Sequence, residues 1–366
     1  MKKLRWELFS YSINFKESLS LLGCEISKRK GHILRLYDDC AAKLSDEIFG
    51  EGEIATLPGL HPESYYLAEK QIINHLSHEN IFFNEPTKSL FSSVSFGLDM
   101  AKRTLQNNLK NFFDDRTPNK NKKNKKNSIK IPVNGLAVCS GKKLENECRQ
   151  LFDEGFKAVK IKVGQLTVKE DLNRVKLARK ILGDKMEIRL DANRMWSWNE
   201  ALKFCKYAKE YNIQYCEEPI NDISKIEKLH AETKVPFALD ETIWANPNPK
   251  NLPKEGIETF VLKPSILGGW SKTKLWVDFA EKKNVNVVLS SSFESGLGLN
   301  WNAFIAANLI KKQIPTGLDT AKWFKHDIID PPFEIKNGFY KIPESWPQAK
   351  NRYLQLVDNG TIVTSF

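Results

Sequence analysis

Five charged residues recur along the second half of the chain at intervals that suit shared chemistry. From Lys162 it is 29 residues to Asp191, then 26 to Glu217, 23 to Asp240 and 23 to Lys263. Each interval is about one strand plus one helix, so each residue can close a successive parallel strand. Lys160 and Lys162 lie in Phe156-Lys-Ala-Val-Lys-Ile-Lys-Val-Gly164. Read as a strand, Val159, Ile161 and Val163 make one face, and Ala158, Lys160 and Lys162 the other. The two ammonium groups are then roughly 7 Å apart along the strand. A neighbouring positive charge and partial desolvation both favour neutral amine, and catalytic lysines reach a pKa of roughly 7–8 in this way. On that segment alone a solvated edge strand is the better explanation of the lysines. The three carboxylates that follow weigh against it.

Asp191, Glu217 and Asp240, delivered to one mouth without histidine or cysteine, make a hard oxygen site that suits Mg²⁺ rather than zinc. Unpaired, three such charges repel strongly in a low-dielectric mouth. The competing reading pairs each carboxylate with a nearby lysine, which explains any one of them but not the whole series in this order. Ser290 and Ser292 fall at the end of the next strand. Serines there are also common capping residues.

The elements that must position these groups begin at Ile131. Eight short strand candidates, at 133–138, 158–163, 187–191, 213–217, 237–240, 259–263, 285–290 and 316–319, alternate with helix-length amphipathic stretches. This pattern fits a compact parallel (β/α) barrel, whose active site lies at the C-terminal strand ends. Parity agrees: Arg189 shares a face with Asp191, and Val261 with Lys263. Asn246-Pro-Asn-Pro leaves little room for a helix between the fifth and sixth strands. Residues 1–115 read as an α+β domain, 131–332 as the barrel, and 333–366 as a tail returning to the first domain.

The 366 residues carry a formal charge of +11. Six lysines between Asn119 and Lys130, with no acid among them, account for more than half of it. Interleaved asparagines make 116–130 a solvated linker. Without aromatic residues to stack bases, it is a poor nucleic-acid site. No apolar run reaches the ~20 residues of a membrane helix, and Met-Lys-Lys-Leu-Arg-Trp-Glu lacks a signal-peptide core. Six scattered cysteines include no Cys-x-x-Cys. They fit a reduced cytoplasm and neither a disulfide framework nor a zinc site. A homo-oligomer is left open.

With these residues in place the sequence resembles the enolase superfamily, in its muconate-lactonizing subgroup. Lys160-Ile-Lys162, Leu190-Asp-Ala-Asn193, Glu217-Glu-Pro219, Asp240-Glu241 and Val261-Leu-Lys-Pro264 match its motifs, and there is no His at the seventh strand end. Within the subgroup, Arg189-Leu-Asp-Ala-Asn-Arg-Met-Trp196, Ser290-Ser-Ser-Phe-Glu-Ser-Gly-Leu-Gly-Leu299 and Gly317-Leu-Asp-Thr320 look like the o-succinylbenzoate synthase family. The resemblance implies an α/β fold, a (β/α)7β modified TIM barrel with an N-terminal α+β capping domain. It likens Gly50–Gly59 to a loop that covers the substrate. It implies Mg²⁺ on Asp191, Glu217 and Asp240, and Lys162 and Lys263 as the catalytic pair. Lys160, Arg189 and Asn193 would support them, and Ser290, Ser292 and the backbone at Gly317 would bind a small carboxylate substrate. The implied reaction is syn dehydration of 2-succinyl-6-hydroxy-2,4-cyclohexadiene-1-carboxylate to o-succinylbenzoate. The nearest rivals are N-acylamino acid racemases and dipeptide epimerases of the same subgroup. The latter usually carry Asp-x-Asp on the last strand, where this chain has Asp319-Thr-Ala321.

Overall fold

A computed structural model describes residues 4–21, 24–38, 48–78, 90–116, 129–246 and 249–362. The expected linker falls almost wholly on 117–128, outside the described residues.

The first domain is an antiparallel sheet with helices on one face. Strands β1 (Leu4–Leu21), β2 (Cys24–Asp38) and β3 (Phe49–Ile54) pair in order, and helices α1 (Tyr65–His78) and α2 (Ser92–Arg116) follow. Strand alternation divides the sheet's two faces. Trp6, Leu8, Leu34 and Leu36 pack with Ile72, Leu76, Leu98 and Leu105 beneath the helices. Tyr11, Ile13 and Ile33, on the opposite face, join the main core shared with the barrel. Of the Gly50–Gly59 stretch likened to a covering loop, residues 50–54 lie in β3 and residues 55–59 leave it as turn and irregular chain. The β3 glycines face α2 so closely that a Cβ on Gly52 would sit 1.8 Å from the Gly97 carbonyl oxygen. Glu51 and Glu53 therefore face the barrel side, where Glu51 accepts from Arg35 (2.8 Å) and from the Ala349 amide (2.8 Å).

Seven parallel strands form the curled sheet of the second domain: β5 (Gly135–Ala137), β6 (Ala158–Lys162), β7 (Glu187–Asp191), β8 (Ile213–Glu217), β9 (Phe237–Leu239), β10 (Ile257–Leu262) and β11 (Asn286–Leu289). The eighth expected strand is reduced to bridges. Thr316 pairs with Val133 on one side and Gly317 with Ser290 on the other, and these close the barrel. The first expected strand, 133–138, is found as β5, and a separate short strand precedes it. Lys130–Pro132 (β4) leaves the barrel to pair with Phe339–Lys341 (β12), so Phe339–Ile342 does not return to the cap. Gln355–Ile362 (β13) does reach the cap and pairs with β1.

The connecting helices are α3 (Gly141–Asp153), α4 (Val168–Leu182), α5 (Trp198–Ala208), α6 (Ile226–Thr233), α7 (Glu241–Ala245), α8 (Pro264–Leu267), α9 (Trp270–Lys283) and α10 (Gly296–Leu309). The short α7 occupies the cramped fifth connection. Local signals start α4 and α5: Thr167 with Glu170 and Ser197 with Glu200 form complete capping boxes. Val159, Ile161 and Val163 pack outward in the main core, which turns Lys160 and Lys162 inward. Among the described residues no helix is long and apolar enough to cross a membrane, and no cysteine is in a disulfide.

Candidate active site

The barrel interior is stacked in layers two residues apart on each strand. Tyr215, Ala238, Val261 and Val288 form a separate small cluster, the floor. Two residues further along the same strands come Glu217, Asp240, Lys263 and Ser290, which form the mouth. On the other strands, register aligns Lys160 with Arg189 and Tyr215, and Lys162 with Asp191 and Glu217. The floor is fully buried, so the charges beside and above it act in a low dielectric.

Lys160 bridges two carboxylates, with Nζ 2.7 and 2.8 Å from the Glu217 oxygens and 3.3 Å from Asp191 Oδ2. Lys162 donates to Asp191 Oδ2 (2.7 Å) and Asn193 Oδ1 (2.6 Å). Asn193 also donates from Nδ2 to Glu241 (3.0 Å), so it orients Lys162 from the β7 side. Lys263 donates to Asp240 Oδ2. Of the three ammonium side chains, Lys162 is the most open at 33% exposed, against 13% for the other two. Lys162 and Lys263 stand on β6 and β10, with three strands between them.

Burial and crowding perturb these groups strongly. Burial, with Asp191 close by, pushes the Glu217 carboxyl up to about 8, even though Lys160 opposes the rise. Burial would also raise Asp191, but Lys162 and Lys160 hold it well below the usual carboxylate range. For Lys160, burial is outweighed by Glu217 and Asp191, which raise it well above an ordinary lysine. The expectation that the lysine pair depresses its own pKa does not hold for Lys160, because carboxylates and not ammonium groups are its near neighbours.

The donor set fits a hard divalent cation. Asp191, Glu217 and Asp240 are buried side by side at successive strand ends, and Asp240 Oδ1 is buried with no hydrogen-bond partner. Among the described residues no three His, Cys, Asp or Glu side chains already close on one point, since lysines take the oxygens a cation would use.

Other expected residues stand elsewhere. Arg189 contacts no ligand carboxylate. It lies sealed in the barrel over the Tyr215 ring, with Nε on Gln214 (2.6 Å) and Nη1 on Asn134 (2.9 Å) and the Pro315 carbonyl (2.6 Å). Its work there is to hold the closing strand to the floor. Ser292 is fully buried, with its hydroxyl on Ser265 (3.2 Å), so it does not open on the mouth. The Gly317 amide donates to the Leu289 carbonyl (2.8 Å) in closing the barrel, so it is not free for a ligand. Ser290, partly exposed beside Gly317, keeps its place at the rim.

One functional group escaped the spacing argument. Glu218, buried and left-handed (φ 42°), accepts from the Asp240 amide (2.8 Å), the Thr242 amide (2.7 Å) and Arg194 Nε (2.7 Å). It locks the end of β9, and hence Asp240, to the end of β8. The doubled glutamate in Glu217-Glu-Pro219 was the only available sign. A cleft of about 370 Å³ on the cap, lined by Lys28, Lys30, His61 and Tyr65 among others, contains none of these groups. The chemistry lies at the strand ends.

Residues 143–346 match the family model described as Enolase C-terminal domain-like, and residues 3–105 match MenC, N-terminal domain. The chain belongs to the enolase superfamily. It is similar to o-succinylbenzoate synthases of Pasteurella multocida (28% identical, covering 89% of this chain and 92% of that protein) and Haemophilus influenzae (27%; 90% and 93%). It is also 28% identical to the chloroplastic protein PHYLLO of Arabidopsis thaliana over 82% of this chain, which spans only 20% of PHYLLO. Among solved structures, a dipeptide epimerase from Cytophaga hutchinsonii in complex with Mg and D-Ala-L-Val shares the fold with TM-score 0.78 at 21% identity, covering 98% of this chain and 99% of that one. MenC from Desulfotalea psychrophila gives TM-score 0.73 at 19% identity, covering 93% and 100%. With this superfamily fold and these relatives, the chain is an enzyme of the lyase or isomerase kind.

Proposed function

We propose that this chain is an o-succinylbenzoate synthase of menaquinone biosynthesis. It would carry out the syn dehydration of 2-succinyl-6-hydroxy-2,4-cyclohexadiene-1-carboxylate in the cytoplasm. The observation that carries the reading is the lysine pair. Lys162, the more open, is aimed by Asp191 and Asn193, and Lys263 faces it from four strands away beside Asp240. Near-full-length similarity to synthases of that name supports the choice of reaction.

Asp191, Glu217 and Asp240 would hold Mg²⁺, which when bound supplies Lewis-acid charge neutralisation at the substrate carboxylate. Lys162 removes the proton α to that carboxylate and returns a proton to the departing hydroxide on the same face. Lys263 stays cationic: burial would lower it, but Asp240 and Glu241 raise it well above an ordinary lysine. It therefore stabilises the developing charge from the opposite side. The Tyr215–Val288 floor is fully buried, so the reacting centre above it works in a low dielectric. Ser290, partly exposed at the rim, would meet the succinyl group.

Two lysines on opposite sides also suit racemisation, and epimerases share the fold. Asp319, the one aspartate in Asp319-Thr-Ala321, is bound to Lys322 (2.5 Å), which disfavours a substrate ammonium there. The deciding experiment gives the protein three substrates with Mg²⁺. Aromatisation of the cyclohexadiene is expected. Deuterium exchange into N-succinylamino acids or dipeptides without aromatisation would replace this reading with a racemase or epimerase.

A further inference from the structure

Helix α10 lacks its own capping carboxylate, and the cap domain supplies one. Its N-cap is Ser295, and the residue three further on, where α4 has Glu170 and α5 has Glu200, is Gly298. Glu53 of β3, 242 residues away from Ser295, fills the gap. Its Oε1 accepts from the Ser295 amide (2.9 Å) and the Tyr11 hydroxyl. Its Oε2 accepts from the Ser295 hydroxyl (2.7 Å) and the Gly298 amide (2.9 Å). Four donors on one fully buried carboxylate use its main acceptor positions. A Cβ on Gly298 would stand 2.5 Å from Glu53 Oε2 and 2.7 Å from Glu294 Cβ, so the helix start has no room for a side chain of its own beside the cap's glutamate.

The segment so fixed runs straight from the mouth. Arg29 of β2 donates to the Phe293 carbonyl (2.7 Å), and Phe293 itself is held left-handed at φ 57°. Glu294 then accepts from Ser265 Oγ (2.6 Å), two residues beyond Lys263. We propose that Glu53 is a positioning residue that completes a capping box between domains, so that docking of the cap sets the Ser290–Ser295 rim and the loop behind Lys263. The role in turnover rests on the synthase reading, whereas the coupling between domains does not.

The test compares Glu53→Gln with Glu53→Ala. Backbone amide exchange at Ser292–Gly298 should rise roughly tenfold in Glu53→Gln and more in Glu53→Ala, with α4 unchanged. With the cyclohexadiene substrate, KM should rise roughly tenfold in Glu53→Gln while kcat changes little. Unchanged exchange at Ser292–Gly298 in a folded Glu53→Gln protein overturns the coupling. An unchanged KM in a folded Glu53→Gln protein whose Ser292–Gly298 exchange has risen reduces Glu53 to a helix cap and overturns the positioning role. If the wild-type protein does not aromatise the substrate, the synthase reading fails, and the exchange measurements still decide the coupling.

Discussion

Replacing Lys160 by methionine separates its place in the metal-free site from its place in the metal-bound one. Lys160 Nζ lies 2.7–3.3 Å from Glu217 and Asp191, and both carboxylates are buried. At an effective dielectric of about 20, each such pair attracts by roughly 5 kcal/mol before desolvation. Breaking a buried pair by removing one partner costs roughly 3–5 kcal/mol. Glu217, already pushed up to about 8, can take a proton instead of remaining an unpaired charge, which places the cost near the lower end. For 366 residues the unfolding entropy is about 0.8 kcal/mol/K, so a loss of about 3 kcal/mol lowers Tm by roughly 4 °C. Mg²⁺ does the ammonium's electrostatic work without repulsion from it, so the variant should bind the ion more tightly. Saturating Mg²⁺ at 100 times its Kd adds about 2.7 kcal/mol and should bring the variant back close to wild type. Thermal unfolding of both proteins, in EDTA and across a Mg²⁺ titration, checks this. An equal Mg²⁺ shift in the two proteins, or no loss of Tm for the variant in EDTA, would refute the claim that lysine and cation compete for the same carboxylates.

Lys162→Ala should abolish dehydration, whereas Lys263→Arg should keep part of the rate and Lys263→Ala should lose roughly 3–4 kcal/mol of transition-state stabilisation; steady-state kinetics of aromatisation reads all three, and wild-type turnover by Lys162→Ala removes the assigned base. Asp240→Asn should stay folded but need far more Mg²⁺, and EDTA should silence the wild type until Mg²⁺ is restored; full activity in metal-stripped protein would contradict the site. Shortening Asn119–Asn127 should leave turnover unchanged, because its composition cannot bury apolar surface; a large loss with the fold intact argues the reverse. Burial holds His61 at about 4, below the 6.5 of a free imidazole, so the unfolded chain binds the extra proton and stability falls as pH drops from about 6.5 to 4, by roughly 3 kcal/mol. Urea unfolding of His61→Gln across that range should show a flatter acid limb than wild type, and identical limbs would show that His61 is not the source.

The sequence alone determined what could be read from period and interval. Strand parity turned Lys160, Lys162, Asp191 and Lys263 to one side, because side chains alternate along any extended chain. Spacings of 23 to 29 residues implied one charged group per strand–helix unit, because a parallel strand needs a crossover before the next. Tertiary structure decided what depends on neighbours far away in the chain. Arg189 shares parity with Asp191, yet depth in the barrel put it on Tyr215 and Pro315 instead of on a ligand. The Gly317 amide went to barrel closure because the last strand pairs by bridges alone. Phe339–Lys341 alternates like any strand, but nothing within it says which edge it will meet, and that edge was β4. Glu53 and Gly298 each break a local expectation, a buried carboxylate whose hydrogen bonds come from neutral donors and a helix start without an acid. Neither can be understood until folding places one against the other, because hydrogen-bond satisfaction is a property of the packed chain and not of a segment.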